Sequence, residues 1–515
     1  MTEYTSTSSV KHDKLGVVFN GLSTENGYIN QFRGIRFGTI SKRWEYGKAY
    51  QYDANTKVDA TKYGPICPQP PTLSEVNLLQ IPEAHRQDRA SLVADELDCL
   101  NLIITAPANK EKLPVMVWIY GGANTTGGNC FKVYDSTHLV NESIVQSSPI
   151  LVVNINYRVN FFGFSAPIQH EDGFSGNYGL HDQQLALKWI KENIEPFGGD
   201  PDQVTIVGES AGSMNAHYQI QSPLSKDLFK RAILMSGTSH SSPPLALQTQ
   251  KHIFSKLGLP STEASDLVQL PAQQLIDILI KFPGLVYFNP TDDGKFFGPK
   301  WESDAAAEWC ESIMIGDCGF ESVLWLQVIN KKNSNQIKEA LNQDGLDADF
   351  KQNVLREYPG LDSSGDEGAR KSALDYVNDV LFAANVDRVC SDFVKKEKSV
   401  HRFLFDQGNP FEGPLKNIPH HAVDVLYLFA NTPLITHQQK EISKEFQSKV
   451  LKFVNGGEPF GKVPEVMYGF GPNDHYGLVS STEYRMRRRH KGFKVILDAN
   501  IDQARKIATH LIMNQ

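Results

Sequence analysis

The run VTIVGESAGS, residues 204–213, constrains what this chain can fold into more than any other stretch. An apolar, β-branched segment leads straight into Gly208-Glu209-Ser210-Ala211-Gly212, and the helix-compatible AGSMNAHYQI follows. As a bare pattern G-x-S-x-G says little: with Gly and Ser each near 7% of residues, about one random chain in five of this length would contain it. Its setting is more specific. A sharp strand-to-helix turn brings residues 208 and 212 against the serine backbone, where only glycine fits, and pushes the hydroxyl into the open. The helix that starts there points its positive end at charge developing beside the serine. Ser210 is therefore the candidate nucleophile, weighed against a plain turn serine.

The rest of the chain repeats this alternation. LNLIITA (100–106), VMVWIYGG (115–122), ILVVNINYRV (150–159), RAILMSG (231–237) and HRFLFDQ (401–407) read as strands, several of them apolar throughout. DQQLALKWIKENI (182–194) places Leu185, Leu187, Trp189, Ile190 and Ile194 on a helical period. Residues 240–400 read as helix-rich, with further helices over 436–455 and 496–511. Strands alternating with helices predict a mainly parallel sheet covered by helices. Short alternating runs at 13–60 predict antiparallel strands before it, and 65–98 reads as a long surface loop. Residues 1–12 are polar and read as a flexible tail.

Composition excludes several function classes. Lys plus Arg is 51 against 59 Asp plus Glu, a net charge of −8. Such a balance gives no pull toward nucleic acid or an anionic membrane. The one basic run, Arg485 to Lys491, reads as a solvated face. No window is apolar over the roughly 20 residues of a membrane span, and the first residues lack the apolar core of a secretion signal, so a cytoplasmic location is expected. The six cysteines form no C-x-x-C pair and no histidine cluster has zinc-ligand spacing. No metal or organic cofactor is expected.

An oxyanion hole needs backbone N–H groups aimed at the place where charge will develop. The glycines after VMVWIY are the expected suppliers, beside the amide of Ala211. Here the chain resembles a known family. WIYGGANTTGG is similar to the WIxGGGFxxG loop of the type B carboxylesterases and cholinesterase-like proteins, and NYGLHDQQLALKWIKENIEPFGGDPDQVTIVGESAGS resembles their nucleophile block along its whole length. FRGIRFG, DCLNLIITAP, NINYRVNFFGF and FKRAILMSGT are further matches. The resemblance is dense over 16–240 and thinner over 285–455. It implies an α/β-hydrolase fold: a mostly parallel central sheet flanked by helices, with large helical insertions after the nucleophile strand. It also implies one domain over 13–515, where length alone would suggest about three.

A serine nucleophile needs a base within hydrogen-bond reach and a carboxylate to orient it, in the chain order Ser, acid, His. Fifteen histidines leave spacing uninformative. The resemblance selects two segments. SIMIGDCGFESV resembles the strand and loop that carry the acid, which places it at Glu321, with Asp317 as the fallback and Ser322 where the family has glycine. IPHHAVDVLYLFAN resembles the HGxD/E block and places the base at His421, with Asp424 three residues on; His420 is one residue out of register. The implied activity is hydrolysis of a small or medium carboxylic ester or lactone through an acyl-serine. Gly122, Ala123 and Ala211 would hold the oxyanion. Transfer of the acyl group to an alcohol on the same triad is the alternative. A non-catalytic adhesion relative fits less well, because the serine is present.

The departures from the family carry their own expectations. Ala123 stands at a usual glycine, and Asn124 at a usual aromatic, which suggests a polar wall and a substrate with a hydrogen-bonding group near the acyl carbon; drift at a tolerant position is the plainer reading. Asn124-Thr125-Thr126 fits a glycosylation sequon, but a glycan would block the site. Glu209 is usual for the family and is expected to face substrate. Cys67 and Cys99 fall on the family's first disulfide, although a cytosolic protein would keep them as thiols. The loop between them has no tryptophan to hold a quaternary ammonium, so choline esters are not expected substrates.

Overall fold

The structure is a computed structural model that describes residues 4–513 other than 72–73, 89–90, 109, 165–175, 257, 262–263, 282–286, 299–300, 302–305, 432–435 and 500. Runs rich in Val and Ile can bury both faces of a strand, which suits the middle of a parallel sheet. They lie there. Among the described residues one sheet of 13 strands runs through the molecule. In chain order its strands are β1 (Tyr4–His12), β2 (Val17–Thr24), β3 (Ile29–Arg36), β4 (Lys57–Asp59), β5 (Asn101–Pro107), β6 (Leu113–Ile119), β7 (Leu151–Ile155), β8 (Gly199–Glu209), β9 (Arg231–Met235), β10 (Ser312–Cys318), β11 (Ser399–Phe405), β12 (Met467–Phe470) and β13 (Tyr476–Val479).

In space the order is β1-β2-β3-β5-β7-β6-β8-β9-β10-β11-β12-β13, with β4 beside β2. All pairings from β7 to β12 are parallel, and those at the two ends are antiparallel apart from the short β2–β4 pair, which is parallel. β8 is central: Val207 faces Trp118 of β6 on one side and Ile233 of β9 on the other. Its residues from Val204 to Glu209 are all buried. Ligands of open α/β sheets bind outside the carboxyl ends of the strands, and the candidate residues gather at that edge.

Helices cover the sheet. α1 (Thr137–Val145), α2 (Tyr178–Asn193) and α3 (Ala211–Gln221) precede β9, and a long helical insertion between β10 and β11 includes α4 (Asp366–Asn378) and α5 (Ala384–Lys395). After β11 come α6 (Val423–Phe429), α7 (His437–Val454) and α8 (Ile501–Ile512). α2 buries Leu180, Leu187 and Ile190 as its period requires. The insertion and the C-terminal helices share a second apolar cluster around Tyr376, Val377, Phe493, Ile507 and Leu511.

Three expectations are corrected. Residues 4–12, read as part of a flexible tail, form β1, paired antiparallel with β2 from His12↔Val17 outward. TSTSSV is polar with no apolar alternation, exposure alternates only from Ser8 to His12, and a polar edge strand needs only one face covered. The basic run is a solvated face only at its ends, Arg485 and Lys491, and not in its middle. Arg488 is buried and pairs with Asp317 (3.1 Å) and Asp406 (2.7 Å), Arg487 reaches Asp406 at 3.3 Å, and Arg489 reaches Asp379 at 2.6 Å. The helix expected over 496–511 is two helices, His490–Asp498 and α8. The six cysteines are buried and none is in a disulfide. The Cys99 thiol is pushed up by its hydrogen bond with Cys67, then by burial. Among the described residues no helix is long and apolar enough to cross a membrane.

Candidate active site

Ser210 is the first residue beyond β8 and caps α3, with φ 55° and ψ −127°. A non-glycine residue held there stores about 1–3 kcal/mol of strain, supported by its surroundings. Its amide donates to the Met235 carbonyl at 2.9 Å, which ties the turn to β9. A Cβ at 208 would collide with the Gly212 carbonyl, and one at 212 with that of Ile119. The turn therefore admits glycine on both sides of the serine.

The loop after β6 faces it. Gly122, Ala123 and Asn124 all have positive φ, at 112°, 59° and 53°. The Thr125 and Thr126 amides close onto the Gly122 carbonyl at 2.9 and 3.1 Å, and Phe288 N–H donates to the Ala123 carbonyl at 3.1 Å. Ala123 holds a left-handed conformation that costs a non-glycine residue about 1–2 kcal/mol. Gly121, Gly122 and Ala123 border the same cavity as Ser210, a space of about 520 Å³. Ala211 begins α3 immediately after the serine.

Asn124 is placed otherwise than expected. Its side chain is fully buried and does not line the cavity. Its Nδ2 donates to the Phe288 carbonyl at 3.0 Å, and its Oδ1 accepts from Asn215 Nδ2 at 2.9 Å. It braces the loop from behind. The left-handed backbone at 124 turns the side chain inward, so the position gives no polar wall.

His421 enters from the segment between β11 and α6. Its Nδ1 lies 2.5 Å from Glu321 Oε2. Glu321 starts a 3-10 turn just after β10, and its other oxygen accepts the Cys318 amide, also at 2.5 Å. The Asn378 side chain fixes that turn by accepting from the Glu321 amide at 2.7 Å. His421 Nε2 has no hydrogen-bond partner and stands 3.3 Å from Oε1 of Glu209. Ser210, Glu209 and His421 line one cavity, but the imidazole faces Glu209, and the expected bond to the serine is not formed in this geometry.

The alternatives occupy structural roles. His420 Nδ1 donates to the His421 carbonyl at 2.8 Å, and its Nε2 accepts from Asn409 Nδ2 at 2.8 Å. Both nitrogens are used, and burial pushes the ring down to about 4. Asp317 lies inside β10 between Arg402 (2.7 Å) and Arg488 (3.1 Å). Burial would raise its carboxyl, but the two guanidinium groups outweigh that and hold it below the usual range.

Charges concentrate around His421. Burial alone would lower its imidazole; Glu209 and Glu321 overcome this and raise it to about 9. Glu209 is raised to about 7, first by burial and then by Glu321, with His421 opposing both. Asp424, buried, has neither oxygen hydrogen-bonded and is pushed well above the carboxylate range by burial and then by Glu209 and Glu321. Sequence reasoning noted Asp424 only as an alignment mark. It missed the apolar side chains beside the base, Leu324, Trp325, Leu381 and Phe382, and it missed Arg505 of α8. No local pattern marks those residues. Among the described residues no cluster of His, Cys, Asp and Glu could hold a metal ion.

This geometry, a strained serine opposite a glycine loop with a carboxylate-held imidazole between, suits acyl transfer. Comparisons with known proteins show the family. A sequence model described as the carboxylesterase family matches residues 16–493. Lipase 3 of Yarrowia lipolytica is 31% identical over 455 residues, covering 85% of this chain and 87% of its own. Para-nitrobenzyl esterase of Bacillus subtilis is 30% identical, covering 85% and 88%. A solved PNB esterase superposes with a TM-score of 0.75 at 26% identity, over 94% of this chain and 99% of that one.

Proposed function

The chain belongs to the carboxylesterase family and is a carboxylic ester hydrolase, and we propose that it acts through an acyl-serine formed at Ser210. His421 takes the hydroxyl proton as Oγ attacks the ester carbonyl. Glu321 fixes the imidazole with Nδ1–H toward itself and balances the imidazolium that forms. The tetrahedral oxyanion rests on the amides of Gly122, Ala123 and Ala211, each such donor being worth about 2.7–4 kcal/mol in the transition state. Collapse releases the alcohol with the proton from His421. Water activated by the same imidazole then frees the acid.

The observation that carries this reading is the pairing of His421 Nδ1 with Glu321 at 2.5 Å in a ring that shares its cavity with Ser210. The pairing at the other ring nitrogen sets a condition on it. An imidazolium facing Glu209 cannot accept a proton, so the working form is the neutral ring with Nε2 turned to Ser210. The cavity is mainly apolar beside the base, which fits a small or medium ester of low polarity at that end.

Two probes test the reading together. A fluorophosphonate should label the protein once, at Ser210, and 4-nitrophenyl acetate should be turned over. Ser210→Ala should lose both. Labelling at another serine, or turnover that survives Ser210→Ala, would refute the assignment.

A further inference from the structure

The helical insertion between β10 and β11 changes its winding beside the site. α4 ends at Asn378 and α5 begins at Ala384, and the five residues between them, Asp379–Ala383, wind as a π-helix. Asn378 and Ala384 both keep helical backbone angles, so the chain passes through the turn without a break. A π turn closes its hydrogen bonds five residues apart, takes in one extra residue and re-aims the side chains that follow; such turns are rare and gather at functional sites. Asn385 Nδ2 supports this one, donating to the Val380 carbonyl at 2.9 Å and the Leu381 carbonyl at 3.1 Å. The turn straddles two cores. Tyr376, Val377 and Val380 lie in the cluster of the C-terminal helices, whereas Phe382, Val386 and Val389 lie in the core around the sheet.

Both members of the acid–base pair touch this turn. At its leading edge Asn378 Oδ1 accepts the Glu321 amide at 2.7 Å and the Ser322 amide at 3.3 Å. Asn378 Nδ2 donates to Asp379 Oδ1 at 3.4 Å. Asp379 is gripped in turn by Arg489, at 2.6 and 2.9 Å, and by the Tyr358 hydroxyl at 2.8 Å. Four residues after Asn378, the Phe382 ring meets the His421 ring with centroids 5.4 Å apart and planes at 61°. Trp325 stands against the same phenyl ring at 6.3 Å. Asn378 and Phe382 are both buried. The main chain of the acid and the ring of the base are therefore held from one stretch of helix.

We propose that the Asp379–Ala383 turn is a positioning device for the acid–base pair, in which Asn378 seats the backbone of Glu321 and Phe382 limits the swing of the His421 ring. The inference rests on the serine-esterase reading above. With Nδ1 held 2.5 Å from Glu321, the swing that remains carries Nε2 between Glu209 and Ser210. A tilted aromatic contact prefers a defined ring angle, which an aliphatic side chain of similar size does not impose. Misplacing a reacting group by about 1 Å costs on the order of 100-fold in rate. Phe382 also borders the cavity, so holding the ring and touching the ester must be told apart.

The test uses Phe382→Leu, Phe382→Tyr, Asn378→Ala and the double variant Asn378→Ala with Phe382→Leu, each in the full chain. 4-Nitrophenyl acetate and butyrate are the substrates, and turnover is counted per site titrated with a fluorophosphonate. Phe382→Leu and Asn378→Ala should each lower kcat roughly 10- to 100-fold, with KM for both esters changed by less than about threefold. Phe382→Tyr keeps the ring and should hold kcat within a few-fold of wild type. The double variant should lose less than the product of the single losses, because both side chains act through one pair. The far-downfield proton resonance of His421 Nδ1–H reads the pair without turnover. It should broaden or vanish in Phe382→Leu and in Asn378→Ala, and persist in Phe382→Tyr. A kcat within about twofold of wild type in both Phe382→Leu and Asn378→Ala, with that resonance unchanged, would overturn the proposal. So would a Phe382→Leu loss that falls on KM and differs between acetate and butyrate, which would make Phe382 a substrate contact. Wild-type turnover with labelling at Ser210 upholds the esterase reading in either case, and their absence would sink both.

Discussion

His421 Nδ1 lies 2.5 Å from Glu321 Oε2, and the carboxylate's second oxygen is held by the Cys318 amide. Two contacts therefore fix one carboxylate and, through it, one ring. Glu321→Gln keeps the shape but offers the imidazole no counter-charge and permits the wrong tautomer. We expect kcat to fall roughly 10³- to 10⁴-fold, with the melting temperature changed by only a few degrees. Stopped-flow acylation with 4-nitrophenyl acetate, normalised by phosphonate titration, measures this. A loss below tenfold would remove Glu321 from the triad.

The environment of His421 sets the pH dependence. Its raised value means the ring stays protonated into the alkaline range, while catalysis needs it neutral. The acid limb of kcat/KM should therefore lie above the 6.5 of an ordinary imidazole, toward about 9. Glu209→Gln removes one of the two anions that hold the proton, and the limb should move down by about 1–2 pH units. The same shift bears on stability. A folded value above the unfolded one adds stability that is complete below about 6.5 and is lost as pH rises through about 9. An acid limb at or below 6.5 in the wild type would contradict this account.

The adjacent histidine separates position from chemistry. His420 is saturated by the His421 carbonyl and Asn409. His420→Ala should destabilise the fold by about 1–3 kcal/mol, because it leaves buried partners unpaired, yet keep a burst of acylation. His421→Ala should fold and show no burst. Urea unfolding and burst amplitude, read on both variants, decide between them.

Much of this site was legible because it is local. The strand, turn and helix over 204–221 follow from apolar continuity and two glycines, and β8 and α3 occupy those residues. Glu321 and His421 are 100 residues apart, and only a block resemblance singled them out. Where a side chain points was less legible. Asn124 looked like a cavity residue because its loop is one, but a left-handed backbone turns its amide to Phe288 and Asn215. The basic run looked solvated because its partners, Asp317, Asp379 and Asp406, lie far away in the chain. Nothing near Arg505 in sequence says that α8 borders the same cavity as Ser210. β1 escaped notice because edge pairing requires little apolar content.

Asn124 yields a prediction about the loop. Asn124→Ala would leave the Phe288 carbonyl without its side-chain donor and Asn215 Nδ2 without its nearest acceptor. The expected cost is about 1–3 kcal/mol for each group left unpaired. Because the side chain braces the turn that carries the Ala123 amide, kcat should fall while KM for 4-nitrophenyl esters of different acyl lengths changes uniformly. A KM effect confined to one acyl length would instead place Asn124 against substrate.

Asp317 inside β10 and Glu321 just beyond its end are only four residues apart, and they should fail in opposite ways. Asp317 is gripped by Arg402 and Arg488, and Arg488 also holds Asp406. Asp317→Asn removes the charge that compensates two buried guanidinium groups, and breaking such a network typically costs about 3–5 kcal/mol. Since Asp317 is held below the usual carboxylate range, its contribution is present at neutral pH and fades as pH falls through the acid range. We expect Asp317→Asn to unfold at markedly lower urea and to lose its pH-dependent acid stability. Turnover per phosphonate-titrated site should stay within a few-fold of wild type, the reverse of Glu321→Gln. If turnover per titrated site collapses while the urea midpoint holds, Asp317 is the orienting acid and the triad must be redrawn.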